Sequence, residues 1–176
     1  MNKATCNHTT LVKKGRVFEL YTENITLSNG FTMDMEIIRH PGAAAIVAVM
    51  DDQSILLLKQ YRHAVGGFIW EIPAGTLDPD EDEMTCARRE LTEETGYQAR
   101  QMEKLGVITP LPAYSDERIH IYLASGLTRA AQNLDADELL SVHPVGLQDA
   151  LAMIADGRIQ DAKTIAGLHL AANRLR

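Results

Sequence analysis

The sequence predicts a layered domain of the α/β or α+β class. Apolar runs with the length and period of strands occupy much of the chain, and three segments with helical spacing lie among and after them. The chain has 176 residues, of which 45% are hydrophobic, which is enough to bury one sizeable core and too little for two comfortable domains. We therefore expect one main domain with at most a small appended element, and no internal repeat.

The N-terminal region is predicted to contain a tail and a hairpin. Residues 1–15 are polar and have no period, which is typical of a flexible tail. In residues 16–40 the apolar positions alternate in the way of strands, and Ser28, Asn29 and Gly30 form a turn signal between two such runs. This segment is therefore predicted to be an antiparallel β-hairpin, followed by the main domain.

The strands of the main domain are predicted from apolar runs. Residues 43–50 and 55–61 are nearly continuous apolar runs, which have the pattern of two buried strands joined by a tight turn. Further strand candidates are residues 107–108, 119–123 and 139–142. We expect these segments to form the sheet of the domain.

Three segments are predicted to be helices. The apolar residues of 79–95 are spaced three and four apart, and Gly96 follows where a helix takes its left-handed C-terminal residue. Residues 147–154 show a second amphipathic pattern. A third helix is predicted to begin at a cap formed by Asp161 and to run to the C-terminus.

The composition argues against several classes of protein. A formal net charge of −7, from 17 basic and 24 acidic residues, argues against a protein that wraps a nucleic-acid backbone. No apolar run approaches the roughly 20 residues that a membrane span needs, and the N-terminus lacks an apolar signal region. The settings of Cys6 and Cys86 suggest free thiols in a reducing compartment. We therefore expect a cytoplasmic protein, with small anionic molecules as possible substrates.

The predicted helix over residues 79–95 carries three glutamates on one patch. Glu90 and Glu94 lie one turn apart on the same face, and Glu93 lies beside them. Like charges at this spacing destabilise a helix by roughly a few tenths of a kcal/mol per pair. A hard divalent cation would remove the repulsion, because Mg²⁺ prefers carboxylate oxygens together with substrate phosphates and waters. The alternative is a solvated acidic face without a ligand.

The residues that flank these glutamates favour a site. Gly75 follows a strand-like segment and would allow the backbone to approach the start of the helix closely. Arg89 is well placed to orient carboxylates through a bidentate contact. A calcium-binding EF-hand loop that starts at Asp78 is a rival interpretation, but its sixth and twelfth positions require Gly and Glu, where the chain has Glu83 and Arg89. The EF-hand interpretation is therefore rejected.

The same segment resembles the Nudix box, in which glycines, glutamates and an Arg-Glu pair recur at fixed spacings. The matching positions are Gly75, Glu81, Arg89, Glu90, Leu91, Glu93, Glu94 and Gly96. Only Tyr97 is a loose match, at a final position that is usually aliphatic. The resemblance implies a Nudix fold over residues 41–176, with a mixed sheet between helices and the box as a loop, a helix and a loop.

This resemblance also implies a metal site. The expected ligands of Mg²⁺ or Mn²⁺ are Glu90, Glu93, Glu94 and the carbonyl oxygen of Ala74. Arg89 is expected to orient the ligands, and it is counted with Glu93 among the catalytic residues. Bound metal would neutralise the charge of a diphosphate and activate a water for in-line attack on phosphorus.

Similarity outside the box narrows the expected substrate. Residues 58–62, 70–75 and 157–164, and Pro112 at fifteen positions after Tyr97, are similar to the corresponding parts of ADP-ribose pyrophosphatases. The implied reaction is hydrolysis of ADP-ribose, a small nucleoside diphosphate compound, to AMP and ribose 5-phosphate. The substrate-binding residues expected from this resemblance are Arg62, Glu71, Thr76, Pro112 and Glu117.

The catalytic base is expected in the acidic run of residues 135–138. Members of the subfamily carry a mobile loop with a carboxylate at this place, and Glu138 is the predicted base. A solvated acidic loop is the alternative for this run. Trp70, the only tryptophan, is assigned either to the core or a dimer interface, or to stacking on adenine.

The resemblance implies a homodimer and leaves more than one function open. Proteins of this type are often homodimers, whose N-terminal hairpins cross to the partner and help to form the adenine site. The functions that stay open are an ADP-ribose pyrophosphatase, a hydrolase of another nucleotide sugar such as GDP-mannose or of another nucleoside diphosphate derivative, and a catalytically inactive nucleotide-binding module. The last is disfavoured because every acidic ligand position is occupied.

Overall fold

The computed structural model describes residues 3–175, in which strands and helices follow one another along the chain. The strands in these residues are β1 (Thr5–Lys14), β2 (Glu19–Thr26), β3 (Thr32–Arg39), β4 (Ala43–Ala48), β5 (Ser54–Arg62), β6 (Gly67–Glu71), β7 (Ala74–Thr76), β8 (Tyr97–Ile108), β9 (Ile119–Arg129) and β10 (Leu140–Gly146). The helices are α1 (Glu83–Thr95), α2 (Leu147–Ala155) and α3 (Ala162–Arg174), and a 3-10 turn spans His63–Val65. The predicted α+β class is therefore confirmed.

The chain divides into two compact units, of which the first comprises residues 3–42 and 109–118. Its sheet has three antiparallel strands in the order β1-β2-β3. Strands β2 and β3 form the hairpin that the sequence predicts, with a turn that contains Gly30 at a φ of 85°. Glycine is suited to this position because a positive φ costs it nothing in steric clash.

Strand β1 differs from the flexible tail that the sequence predicts for residues 1–15. Every residue of β1 is exposed, so no buried face imposes an alternation of apolar and polar residues on its sequence. The strand is held instead by main-chain pairing with β2 and by Asn7, whose Nδ2 donates to Asn24 Oδ1 at 2.8 Å and to Thr26 Oγ1 at 2.9 Å. The prediction of a tail is therefore wrong for Thr5–Lys14.

The second unit comprises residues 43–108 and 119–175 and contains two sheets. One sheet has the strand order β7-β4-β9-β8, and the other has the order β10-β5-β6. Strands β4 and β9 are parallel, whereas the other neighbours in both sheets are antiparallel. The second unit therefore contains a mixed sheet.

Strand β4 separates the core of the second unit into two clusters. Alternate residues such as Ala45 and Val47 contact one cluster, which includes buried residues of α2 and α3. The intervening residues, such as Ile46, contact the other cluster, which includes Ala87 and Leu91 of α1. The mixed sheet therefore lies between α1 on one face and α2 with α3 on the other, and α1 packs on it through buried side chains.

Several elements differ in length from the sequence prediction, as β8 and α1 show, and β9 and β10 also extend beyond their predicted ends. Strand β8 begins at Tyr97, whereas only residues 107–108 are predicted to be strand, because most of β8 is partly exposed and polar. Helix α1 begins at Glu83 and not at residue 79.

None of the helices within residues 3–175 has the length and apolarity that a bilayer crossing requires. Cys6 and Cys86 are both free thiols, as expected.

Candidate active site

Helix α1 carries the three glutamates of the acidic patch, Glu90, Glu93 and Glu94. Both ends of the helix are fixed by specific residues. Asp82 caps the N-terminus, where its Oδ1 accepts hydrogen bonds from the amides of Met84 and Thr85 at 3.0 Å each. Gly96 ends the helix in a left-handed conformation with a φ of 70°. Because Asp82 has an extended backbone and supplies the cap, the helix cannot begin before Glu83.

Glu90 and Glu94 are buried carboxylates one turn apart on α1. Glu90 is 8% exposed and Glu94 is 1% exposed. Burial raises the pKa of Glu90, and burial followed by the charge of Glu90 raises the pKa of Glu94 well above its ordinary value. Two such groups destabilise the fold when both are ionised, unless a cation neutralises them.

Gly75 in β7 provides the space that the Glu90 carboxylate occupies. A Cβ atom on Gly75 would lie 1.8 Å from Oε1 of Glu90 and 2.0 Å from its Cδ. The neighbouring Ala74 donates from its backbone amide to Oε2 of Glu94 at 2.8 Å. The short strand β7, which pairs with β4, therefore brings main chain against both buried carboxylates.

Arg89 links three acids of the patch. Its Nε and Nη2 donate to the two oxygens of Glu81 at 2.9 and 2.8 Å, which makes a bidentate pair. Its Nη1 donates to Oε1 of Glu90 at 2.6 Å and to Oε2 of Glu93 at 3.1 Å. The bond with Arg89 lowers the pKa of Glu81, and the same bond raises the pKa of Arg89. Arg89 thus fixes the positions of three carboxylates.

The donor set fits a hard divalent ion that keeps part of its water shell. Across residues 3–175, no three carboxylate, imidazole or thiol groups are arranged so that they could hold a metal ion by themselves. Arg89 holds one oxygen each of Glu90 and Glu93, and the amide of Ala74 holds one oxygen of Glu94. Mg²⁺ is typically bound by one or two carboxylates, substrate phosphates and waters, and does not need a cage of protein ligands. Buried, mutually repelling carboxylates beside close main chain suit such an ion.

A second group of charges lies at the ends of β5 and β6 and at the start of α3. Glu71 is 3% exposed, and its Oε2 accepts a hydrogen bond from Nε of Arg62 at 3.0 Å and lies 2.8 Å from Nη2 in an ion pair. Its Oε1 accepts a hydrogen bond from Nζ of Lys163 at 2.9 Å. The charge of Arg62 also opposes the rise in the pKa of Glu94. Glu71, which is predicted to bind substrate, is therefore engaged by two cations of the chain itself.

Glu138, the predicted base, lies in the loop before β10. Its Oε2 accepts from the amide of Asp135 at 2.8 Å, and its own amide donates to the carbonyl of Asp135 at 3.0 Å. Its negative charge contributes to the raised pKa of Glu90 and to that of Glu94. The carboxylate of Glu138 is therefore within electrostatic reach of the acidic patch.

The other predicted substrate contacts are divided between the two units. Thr76 ends β7, and its carbonyl oxygen accepts from Nη2 of Arg89 at 3.3 Å. Pro112 and Glu117 belong to the first unit, where the amide of Glu117 donates to Oγ of Ser115 at 3.2 Å. The second unit therefore contains all the predicted metal ligands, whereas Pro112 and Glu117 belong to the first unit.

Trp70 contributes to packing in the second unit. Its ring packs against the core cluster on the side of α2 and α3 and makes an edge contact with the ring of His143, at 5.1 Å between centroids. Nζ of Lys59 lies 5.3 Å from the centroid of the indole. These contacts favour the core role of Trp70 over stacking on adenine.

Lys163 is a charged residue of the site that the sequence analysis does not single out. It lies in the first turn of α3, where a positive charge opposes the helix dipole and is unfavourable. Asp161, the predicted cap, holds the helix start through bonds from the amide and hydroxyl of Thr164, at 2.9 and 2.6 Å. The helix dipole does not stabilise a lysine in this position, and no local pattern in the sequence indicates that its partner is Glu71, 92 positions away.

Comparison with known protein families agrees with this geometry. The family model described as "NUDIX domain" matches residues 39–168. A protein of Bacillus methanolicus named "Methanol dehydrogenase activator" is 43% identical over 153 residues, which cover 86% of this chain and 83% of that protein. A protein of Bacillus subtilis (strain 168) named "ADP-ribose pyrophosphatase" is 41% identical over 152 residues, which cover 85% of this chain and 82% of that protein.

Solved structures include one of the same fold. The structure described as "Crystal structure of ADP compounds hydrolase" superposes with a TM-score of 0.87 and covers 99% of this chain and 95% of its own. Its sequence is 24% identical to this chain, so the likeness is one of fold. The fold expected from the resemblance, a mixed sheet between helices with the glutamate-bearing helix on one face, is confirmed.

Proposed function

The chain belongs to the Nudix family, and we propose that within this family it hydrolyses the diphosphate linkage of ADP-ribose to give AMP and ribose 5-phosphate. Membership of the family supports the hydrolysis of nucleoside diphosphate compounds in general, without specifying which compound. The choice of ADP-ribose is supported by the relative of that name at 41% identity and by the similarity of residues around Arg62, Glu71 and Lys163 to that subfamily.

One observation carries this proposal. The carboxylates of Glu90 and Glu94 are buried on the same face of α1, and Gly75 leaves room for one of them. A fold without a cation would gain nothing from this arrangement, because buried carboxylates that repel each other are costly. An inactive binding module would have no reason to keep them, which disfavours that alternative.

Nudix hydrolases use divalent metal ions, and for this chain we assign Mg²⁺ or Mn²⁺. The residues that would hold the ion are Glu90, Glu93, Glu94 and the carbonyl oxygen of Ala74. Bound there, the ion would supply Lewis-acid neutralisation of the diphosphate and a water of lowered pKa. Oxygen donors are the ligands that these hard ions prefer.

The side chains around this position have distinct proposed roles. Arg89, fixed by its bidentate bond with Glu81, holds Glu90 and Glu93 in place. Arg62 binds the diphosphate, because a planar guanidinium matches phosphate oxygens. Glu138 accepts the proton of the attacking water, supported by its electrostatic coupling to the patch.

The remaining assignments concern the substrate and the assembly. Glu71, Thr76, Pro112 and Glu117 are assigned to the substrate site, with Glu71 acting through Arg62. The formal charge of −7 favours a small-molecule substrate over a nucleic acid. We assign a homodimer, supported by the three-stranded sheet of the first unit, whose strand β1 is exposed throughout its length.

The experiment is a substrate panel with purified protein and Mg²⁺. The panel contains ADP-ribose, GDP-mannose, diadenosine polyphosphates, oxidised nucleotides and NADH. NADH is included because the Bacillus methanolicus relative is named for a dehydrogenase, an enzyme class that commonly uses this diphosphate-containing cofactor. The test variant is Glu94→Gln, and the matched control is Glu103→Gln, an exposed acid of β8 paired with Arg174 at 2.7 Å.

The expected result is strongest turnover of ADP-ribose, lowered by orders of magnitude in Glu94→Gln and unchanged in Glu103→Gln. Full activity of Glu94→Gln would contradict the metal assignment. Preference for GDP-mannose or another compound would keep the reaction type and replace the substrate. An inactive wild-type protein that still binds these compounds would support the binding module.

A further inference from the structure

We infer that Lys163 is a positioning residue, which neutralises Glu71 and thereby leaves the charge of Arg62 to act on a bound diphosphate. The inference rests on the proposed function, because it concerns how Arg62 is prepared for an anionic substrate. It assigns Lys163 no contact with the reacting atoms.

The geometry begins with Glu71, whose carboxylate lies between two cations. Nε of Arg62 donates to Oε2 at 3.0 Å and Nη2 forms an ion pair with the same oxygen at 2.8 Å, while Lys163 donates to Oε1 at 2.9 Å. The side chain of Glu71 is 4% exposed and that of Lys163 is 12% exposed, whereas that of Arg62 is 41% exposed. The buried end of the group is therefore Glu71 with Lys163, and the solvent-facing end is Arg62.

The charge balance of this group explains what each member does. Because Asp161 also accepts from Lys163, two carboxylates and two cations make the group neutral as a whole, and Lys163 balances negative charge that would otherwise fall on the exposed member, Arg62. Without Lys163, Glu71 would be neutralised by Arg62 alone, and the guanidinium would become half of a closed ion pair. Its attraction for a diphosphate would then fall, although its hydrogen bonds to Glu71 remained.

The placement of Lys163 is set by the start of α3. Oδ2 of Asp161 accepts from Nζ of Lys163 at 3.1 Å and from the amide of Thr164 at 2.9 Å. Oγ1 of Thr164 accepts in turn from the amide of Ile72 at 2.9 Å, so the helix start is bonded to the residue that follows Glu71. These bonds fix the register between α3 and β6, and they direct Lys163 at the carboxylate.

The test compares Lys163→Met with Arg174→Met. Both residues are cations on α3, but Arg174 forms an exposed ion pair with Glu103 at the other end of the helix. For ADP-ribose with saturating Mg²⁺, Lys163→Met is expected to raise KM on the order of tenfold with little change in kcat. Arg174→Met should leave both constants unchanged, and Lys163→Arg, which keeps the charge, should restore most of the affinity.

A second background separates neutralisation from a merely structural role. If Lys163 acts by neutralising Glu71, then Lys163→Met should have little further effect on KM when Glu71 is already glutamine. If Lys163 only holds α3 in place, Lys163→Met should change KM by the same factor whether residue 71 is glutamate or glutamine. Its melting temperature should then fall without a selective rise in KM. Additive effects of this kind would overturn the inference.

Failure of the inference is distinguishable from failure of the proposed function. Binding of inorganic pyrophosphate in Mg²⁺ buffer, measured by calorimetry, needs no turnover and should weaken about as much in Lys163→Met as KM rises. If the wild-type protein did not turn over ADP-ribose but pyrophosphate binding weakened as described, the substrate would be wrong and the inference would stand. Unchanged pyrophosphate affinity and KM in Lys163→Met would overturn the inference and leave the proposed function intact.

Discussion

Replacing Gly75 with alanine tests how far the site depends on the close approach of β7 to α1. Gly75 has no positive φ, so its backbone conformation is open to alanine. The three atoms nearest to the added Cβ all belong to the carboxyl group of Glu90, at 1.8, 2.0 and 2.6 Å. The substitution therefore acts on one carboxylate, which is a proposed metal ligand.

The expected loss of activity in Gly75→Ala follows from how far the Glu90 carboxylate is displaced. Ordinary contacts between such atoms are about 3.5–4 Å, so the Glu90 carboxylate has to retreat by roughly 1.5–2 Å. A misplacement of about 1 Å in a catalytic arrangement lowers the rate about 100-fold. We therefore expect kcat/KM of Gly75→Ala to fall at least about 100-fold, or about 2.7 kcal/mol. The crowding should also lower the free energy of unfolding by about 1–3 kcal/mol.

The assay measures kcat/KM for ADP-ribose over a range of Mg²⁺ concentrations, together with the melting temperature. Gly67→Ala is the matched control, because Gly67 also lies in a strand and an added Cβ would have no atom within 4 Å. In the Gly75→Ala background, Glu90→Asp shortens the side chain by one methylene and should recover stability without recovering activity. A folded Gly75→Ala protein with wild-type kcat/KM would refute the steric argument.

Three further predictions concern charge, thiol chemistry and the helix cap. Burial raises the pKa of Glu94, so the stability that its protonated form contributes is full below the ordinary glutamate pKa of about 4.3 and is lost as pH rises through the raised value. In EDTA, Glu94→Gln should therefore melt at a higher temperature than wild type at neutral pH, and the difference should vanish in acid. Equal melting curves at neutral pH would contradict this prediction. Burial raises the pKa of Cys86 to about 12, so iodoacetamide near pH 8 should label the exposed Cys6 first and Cys86 only on unfolding, as peptide mass spectrometry would report. Asp82→Ala removes the cap of α1 and should cost about 1 kcal/mol in denaturant unfolding, and an unchanged midpoint would show that the cap is dispensable.

The acidic helix is the part of the site that sequence periodicity can predict. Helical spacing alone places Glu90 and Glu94 on one face, and the apolar residues of the opposite face specify how α1 packs on the sheet. The role of Gly75 is predicted only in outline, because its contact with Glu90 joins residues of two elements. Spacing within one element is encoded locally, whereas the distance between elements is set by the whole core.

The parts that sequence reasoning misses lack a buried apolar face or depend on long-range ion pairs. Strand β1 is fully exposed, so main-chain pairing determines it and leaves no hydrophobic pattern. The bond from Lys163 to Glu71 joins residues 92 positions apart. No local rule predicts such a partner, because nothing in the sequence near Lys163 specifies which acid it meets.

The charge balance of the site explains why cations from two sources are needed for a diphosphate substrate. Five charged side chains of the acidic patch are buried or partly buried, namely Glu81, Glu90, Glu93, Glu94 and Arg89, and the exposed Asp78 lies 3.9 Å from Arg89. When these five are ionised, four negative charges and one positive charge give a net charge of −3, and a diphosphate adds further negative charge to a partly buried place. A divalent ion therefore has to offset the carboxylates, while a protein cation offsets the substrate. Among the side chains described here, Arg62 is suited to the second task because Lys163 also offsets the charge of its acidic partner, Glu71.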